Sequence, residues 1–443
     1  MGVWRTRASG ILCTYCADGG MDRTSLDRQY LCSFAYSSVT LTVANYQRLA
    51  RWVDSCVSKL VIDSWRSLGL AKNIEHKIVI GGYYGFGNIG DDAMLDVLIR
   101  LLSETLPKAR VTVLSQNPRL TRHTHQVEAI NRWNVLQIGQ ALERSALFVL
   151  GGGSLLQDST SQKSLYYYLG LINWAKYRRK PVFLIGQGIG PLMRKSSRSR
   201  VASTLAVVDA ILLRDRESYD ELISLGLDEK RLICGEDLAL LASPIGSFRR
   251  LSSHIPGGKY YCVVLKNGLT QTQIFNLAKN FDNIYGQLGL RTVLLPFFKE
   301  RDWRTLQAIA KAMKTHVELM NTANLVSEKV LRVIAESQFV IGMRLHSLVF
   351  ALNAHVPFAA INYDPKIERF VHRLQSSASL QLPIWEVEEL NKTDMFDQIN
   401  QLCADDECIR ARLAMAQQKL SHEAQRAWSQ MLSRMVRYFG EMS

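Results

Sequence analysis

From His76 onward, short runs of apolar residues alternate with longer stretches whose apolar positions recur at helical spacing. The runs Lys77–Gly81, Arg110–Leu114, Ala146–Leu150, Pro181–Ile185, Ala210–Leu213 and Arg231–Cys234 are continuous rather than alternating. That is the pattern of strands covered on both faces, and hence of a parallel sheet between helices. A stretch rich in Ser, Pro, Gly and Arg, from Ser243 to Lys259, reads as an interdomain linker. The alternation then restarts, with Tyr260–Leu265, Arg291–Leu295, His316–Leu319, Phe339–Ile341 and Phe358–Ile361 as strands. From Asp405 to Phe439, apolar residues at 409, 413, 420, 428, 432, 435 and 439 predict one long amphipathic helix. The expected fold class is α/β, with two Rossmann-like domains facing a cleft and ligands at the carboxyl ends of the strands. The expected boundaries are an extension over 1–75, a first domain over 76–245, a second over 258–385 and a helical tail over 386–443.

At 443 residues the chain is long enough for such a pair of domains. Its hydrophobic content of 47% with 21% charged residues suits a globular protein. The net charge of +14 is scattered in small clusters such as 178–180, 194–200 and 249–250. No aromatic-rich nucleic-acid strand or zinc finger accompanies it, so a nucleic-acid partner is not expected. A basic surface that also suits peripheral contact with anionic lipid is the better reading. Eight cysteines include Cys13 and Cys16 at close spacing, with Cys32 and Cys56 beyond, but no second close pair. No metal is expected. Neither a bilayer-length apolar run nor a secretory apolar core is present in the sequence, so the expected location is cytoplasmic, including the inner face of the plasma membrane.

Chemistry concentrates at the strand ends. The first strand runs into Gly85-Phe86-Gly87-Asn88-Ile89-Gly90-Asp91-Asp92 before a helix expected over Ala93–Leu102. Glycines at 85, 87 and 90 allow positive φ and close approach of a ligand, and a helix N-terminus behind them is an anion site. A dinucleotide reading of these letters fails, because the next strand ends in Ser115-Gln116-Asn117-Pro118 without the acid that would hold a ribose. Asp91 and Asp92 have capping and dipole complementation as their plain roles. Gly151-Gly152-Gly153-Ser154 and Gly186-Gln187-Gly188-Ile189-Gly190-Pro191 read as further glycine-rich turns on the same edge, the first between strand and helix. Arg214-Asp215 follows another strand. In the second half, Arg344 and His346 stand where a strand meets a helix, with Lys266 and Asp364 on the same rim. Arginine offers a fork for phosphate or carboxylate, and histidine is a ready proton-transfer group.

The segments GYYGFGNIGDDAML (82–95), LGGGSLLQDSTSQKSLYYYL (150–169), GQGIGPL (186–192), LLRDRES (212–218) and IGMRLHSLVFAL (341–352) together resemble the polysaccharide pyruvyltransferase family. The resemblance covers about residues 77 to 370. It implies a fold like that of GT-B glycosyltransferases and transfer of pyruvate from phosphoenolpyruvate to a pair of sugar hydroxyls. The product would be a cyclic ketal on a cell-surface glycan or its lipid-linked precursor. It further implies that Arg214 and the motif Arg344 to His346 lie at the donor site. Lys266 stands where the family usually has arginine, keeping the charge without the fork.

On that footing Arg214, Arg344 and Lys266 are expected to grip the donor. Gly87, Asn88, Gly90, Gly152, Gly153, Ser154, Gln187 and Gly188 are expected to bind substrate, with N–H groups of the glycine loops meeting the charge of the departing phosphate. His346 is expected to protonate the enol carbon and Asp91 to accept a hydroxyl proton. Phosphoenolpyruvate serves as donor substrate, with no cofactor. Two other readings stay open: a GT-B glycosyltransferase using a nucleotide sugar, with Asp364 or Glu368 on its ribose, and a catalytically dead sugar-phosphate-binding protein.

Overall fold

A computed structural model describes residues 77–242, 258–321 and 327–440. The extension over 1–75, its four cysteines and nearly all of the expected linker lie outside the described residues.

Among the described residues, two separate sheets form, every strand pairing within them parallel. The first contains β1 (Lys77–Tyr84), β2 (Arg110–Ser115), β3 (Glu128–Asn131), β4 (Leu147–Leu150), β5 (Gly153–Leu156), β6 (Val182–Ile189), β7 (Ala210–Leu213) and β8 (Leu232–Cys234). Its order is β3-β2-β1-β4-β6-β7-β8, with the short β5 paired to β6. The second contains β9 (Tyr260–Val264), β10 (Arg291–Leu294), β11 (Val317–Leu319), β12 (Val340–Gly342), β13 (Phe358–Asn362) and β14 (Ile384–Glu386), in the order β11-β10-β9-β12-β13-β14. The strand order reverses between β1 and β4 in one sheet and between β9 and β12 in the other. In open parallel sheets, ligands lie outside the carboxyl ends at this reversal.

The burial strings explain why the apolar runs were readable. All of β4, β7, β9 and β13 is buried, as helices on both faces require. Three strands escape the pattern. In β3 (EAIN) only Ala129 is buried. The strand β5 hides behind its glycine, and β14 has three residues.

Two helices are shared by the halves. The helix Ile89–Thr105 places Ile89, Ala93 and Met94 in the core of the second sheet, and Leu95, Leu98, Leu101 and Leu102 in that of the first. The C-terminal helix Asp406–Gly440 buries Ile409, Leu413 and Leu420 with the second sheet, then Trp428, Met431, Leu432 and Met435 with the first. Six of its seven expected apolar positions are thus buried, the side chain at 439 being undescribed. The tail is therefore a clasp across both halves. Further ties are Asn353 Nδ2 donating to the Ala239 carbonyl at 2.7 Å and Arg373 donating to Glu236 at 2.8 Å. No helix among the described residues is long and apolar enough to cross a membrane.

Candidate active site

At the two strand reversals the halves meet in several contacts, of which the tightest is at Gly90. The helix Leu345–Asn353 follows β12 and carries His346 in its first turn. This imidazole lies directly on Gly90, where a β-carbon would stand 2.8 Å from His346 Cβ and nearer still to the ring. Glycine at 90 therefore provides room for the histidine. A positive φ was the expected reason, and that holds only for Gly85 and Gly87, Gly90 being inside the helix Ile89–Thr105.

That helix begins four residues earlier than its apolar spacing suggests. Asn88 is its cap and accepts from Gly90 N–H at 3.2 Å, while the Ile89 N–H donates to the Phe297 carbonyl at 2.9 Å. With these two donors occupied and Asp91 and Asp92 in the first turn, this helix end is not the anion cradle the glycines suggested. The expected capping role of the aspartates passes to Asn88, whose amide also donates to Asp91.

The other glycine-rich segments are likewise rearranged. Gly153 and Ser154 open β5, and the next helix starts only at Gln162, so the triple glycine does not lead into a helix N-terminus. Gly153 has φ +117, a glycine conformation, and its missing β-carbon leaves room for Asp91 Oδ1, which would stand 3.3 Å from that carbon. The segment 186–188 lies inside β6 rather than in a turn. Gln187 is fully buried and donates to the carbonyls of Leu150 and Gly151, holding the β4–β5 turn. Its expected place on a substrate surface is not met. A β-carbon on Gly188 would come within 2.8 Å of Arg214 Nε, so this glycine makes space for the arginine. Gly152 packs on the Gly186 carbonyl, 2.9 Å from an added β-carbon.

Arg214 is buried at the end of β7 and donates to Ser154 Oγ at 2.7 Å. Its Nη1 lies 3.7 Å from Asp237 Oδ2, and His346 Nε2 lies 3.4 Å from the same oxygen. Sequence reasoning missed Asp237. It follows β8 at the same sheet edge, and the strand-end rule applied to the other strands would have found it. Both Oδ2 and Nε2 are buried without an aligned hydrogen bond among the described residues. Burial works to raise the Asp237 carboxyl, yet the charges of His346 and Arg214 and the Ala239 N–H outweigh it, bringing it down to about 2. Asp91 goes the other way. Burial lifts it to about 6 against the pull of His346, Arg214 and Arg344, with Asp237 adding to the rise. Two carboxyls in one site are thus set far apart, the arrangement by which one fold separates a permanent charge from a proton carrier.

Arg344 grips the fully buried Asp302 through Nε at 2.8 Å and through Nη2. That pairing takes one edge of the fork expected for a ligand. Among the described residues Nη1 has no hydrogen-bond partner. Lys266 sits 4.2 Å above the Tyr363 ring, and burial followed by the charges of Arg344 and Lys366 lowers its pKa. Lys366, a second residue the sequence reading passed over, pairs with Asp364 at 3.0 Å. Burial lowers its pKa, Asp364 opposes that, and Arg214 adds to it. Arg214, Arg344, Lys266 and Lys366 therefore sense one another across the halves, and an anion between them would relieve their repulsion. The helix Leu345–Asn353 adds a terminus without a side-chain cap or first-turn acid. Among the described residues, no group of three or more His, Cys, Asp or Glu could hold a metal ion.

The family model for polysaccharide pyruvyl transferases matches residues 88–365, more than half of the chain. The chain belongs to the polysaccharide pyruvyl transferase family. The matched residues include Gly90, Arg214, Asp237, Arg344 and His346. A curated relative, the amylovoran biosynthesis protein AmsJ of Erwinia amylovora, is 22% identical over 209 residues, 42% of this chain. The chain spans about half the length of that relative, 50%. Among solved structures, UDP-GlcNAc 2-epimerase from Neisseria meningitidis bound to UDP-GlcNAc superposes with a TM-score of 0.54 at 12% identity, covering 81% of this chain and 100% of the other. Alr3699/HepE from Anabaena, in complex with UDP and glucose, gives a TM-score of 0.54 at 13% identity, with 81% and 100% covered. At such identities the likeness is one of fold, an α/β architecture of GT-B type.

Proposed function

We propose that this pyruvyl transferase family member moves the pyruvyl group of phosphoenolpyruvate onto two hydroxyls of a sugar in a growing polysaccharide, releasing inorganic phosphate. The observation that carries the reading is the meeting of His346, Asp237, Asp91 and four cations at the facing strand reversals. The donor bears a phosphate and a carboxylate, and Arg214, Lys266, Lys366 and the unbonded edge of Arg344 suit two anions held apart.

In the reaction C3 of the enol gains a proton and becomes a methyl group, leaving C2 electrophilic. One sugar hydroxyl adds to C2. The second then displaces phosphate and closes the ketal. Of the two hydroxyl protons released, one balances that delivered to C3 and the other leaves with phosphate. His346 is the donor of the first proton, its Nε2 lying 3.4 Å from Asp237 Oδ2. Asp91, raised to about 6, is ionised at neutral pH yet basic enough to receive a hydroxyl proton. Arg344, fixed by Asp302, is a preset electrostatic support for the departing phosphate.

The glycosyltransferase reading finds less support. Asp364, a carboxylate proposed for a ribose, is occupied by Lys366 and by capping its own helix at Lys366 N–H. Lipid-linked sugars incubated with the full chain and phosphoenolpyruvate should yield phosphate and a product heavier by a pyruvate ketal. Phosphate-free turnover with a UDP-sugar instead would refute the proposal.

A further inference from the structure

A strip of aromatic rings leads away from Arg344 along the carboxyl edge of the first sheet. Phe298 lies 5.9 Å from the Arg344 guanidinium, and Tyr83 meets Phe298 edge-on at 6.2 Å. Tyr83 stacks on Phe86, in the loop before Asn88, at 4.0 Å and 4°. Beyond Phe86 stands Arg132, just after β3. Its guanidinium is 5.0 Å from Phe86, 4.3 Å from Tyr167, 5.2 Å from Trp133 and 5.5 Å from Tyr168. Trp133 rests on Tyr167 at 4.9 Å.

Two facts separate this strip from an ordinary core. Trp133 is 61% exposed, and Phe86, Tyr83 and Tyr167 are partly exposed, so aromatic surface reaches solvent along this strip. Arg132, by contrast, is only 4% exposed and forms no ion pair among the described residues. Among the described residues its Nε is buried without a hydrogen-bond partner, and its other contacts, to the Gly82 carbonyl and Tyr168 hydroxyl, are long at 3.4 and 3.5 Å. A buried cation so weakly bonded is costly unless its surroundings use it. Here it braces several rings through their faces while Tyr167 Oη, donating to the Arg132 carbonyl at 2.9 Å, fixes its position.

We infer that the exposed Trp133 ring, flanked by Phe86 and Tyr83, forms a sugar-stacking subsite, which receives a pyranose ring of the acceptor glycan next to the residue that is modified. An aromatic face suits the apolar C–H face of a pyranose, and the polar neighbours Asn131, Asn134 and Gln116 suit its hydroxyl rim. The continuity of the strip with Phe298 and Arg344 orients the chain of sugars toward the donor cations. The inference rests on the proposed function for the identity of the bound glycan, while the stacking itself is testable without turnover.

Saturation-transfer NMR on the full chain with methyl glycosides of glucose, galactose, mannose and N-acetylmannosamine reads binding directly. At least one of these probes should receive saturation in the wild type. Trp133→Ala should weaken it roughly three- to tenfold, the worth of one aromatic contact, and Trp133→Phe should retain it. In phosphate-release assays, Trp133→Ala should raise the acceptor KM without altering the phosphoenolpyruvate KM or the circular dichroism spectrum. No saturation with any probe, or saturation unchanged in Trp133→Ala, would overturn the subsite. Trp133-dependent sugar binding with no phosphate release from the wild type would leave the subsite standing and defeat the proposed function alone.

Discussion

His346 occupies the space that any side chain at residue 90 would need. A β-carbon on Gly90 would be 2.8 Å from His346 Cβ and closer to its ring, although residue 90 belongs to one half of the molecule and residue 346 to the other. Gly90→Ala gains about 1 kcal/mol of helix propensity and pushes the imidazole off Asp237 at an overpacking cost of about 1–3 kcal/mol. Activity should fall far more than stability. Parallel measurement of kcat and thermal unfolding checks this, and unchanged kcat would contradict the placement.

Asp237 is the shared counter-charge of His346 and Arg214. Asp237→Asn keeps the shape and removes the charge facing His346 Nε2 and Arg214, leaving the buried Arg214 guanidinium without it. We expect kcat to fall roughly 10²–10⁴-fold, as for loss of the acid itself, and His346→Ala added to it to cost little more. Such non-additivity in a double-mutant cycle distinguishes a coupled pair from two independent residues.

The proton-accepting role of Asp91 predicts the acid limb of the pH profile. Its carboxyl is raised to about 6 by burial. With donor saturating, kcat should rise as pH increases through about 6, because the base must be ionised. Asp91→Asn should lose both the activity and that limb. A limb near pH 6 surviving in the variant would assign the base elsewhere.

Asp92 offers a stability test independent of catalysis. Burial raises its carboxyl to about 7, opposed by His125 and assisted by Asp91 and Asp96. A pKa raised above the unfolded value means that the folded state holds the proton more tightly. The stability from this group is full below about pH 4 and is lost as pH rises through about 7. Asp92→Asn, neutral throughout, should therefore unfold at higher temperature than the wild type at pH 8 and show less advantage at pH 5. Thermal unfolding at the two pH values measures the difference.

The sequence carried the fold because continuous apolar runs such as Leu147–Leu150 and Ala210–Leu213 are only stable between two helix layers. It carried less of the site. Glycine letters do not say whether a backbone turns, packs or yields space: Gly85 turns, Gly152 packs on Gly186, and Gly90 and Gly188 make room for His346 and Arg214. Gln187 read as a loop residue because its glycine neighbours suggested a turn, whereas β6 runs through it. Asp237 and Lys366 carry no motif of their own. Their meaning comes from contacts across more than 100 residues of sequence, as between Asp237 and His346.

The most direct test is to run the reaction in deuterium oxide with phosphoenolpyruvate and a lipid-linked sugar acceptor, and to analyse the glycan by mass spectrometry and NMR. The account predicts a cyclic pyruvate ketal whose methyl group carries one solvent deuteron, formed together with one equivalent of inorganic phosphate and lost in His346→Ala. A glycan without a ketal, or a ketal whose methyl lacks solvent hydrogen, would contradict it.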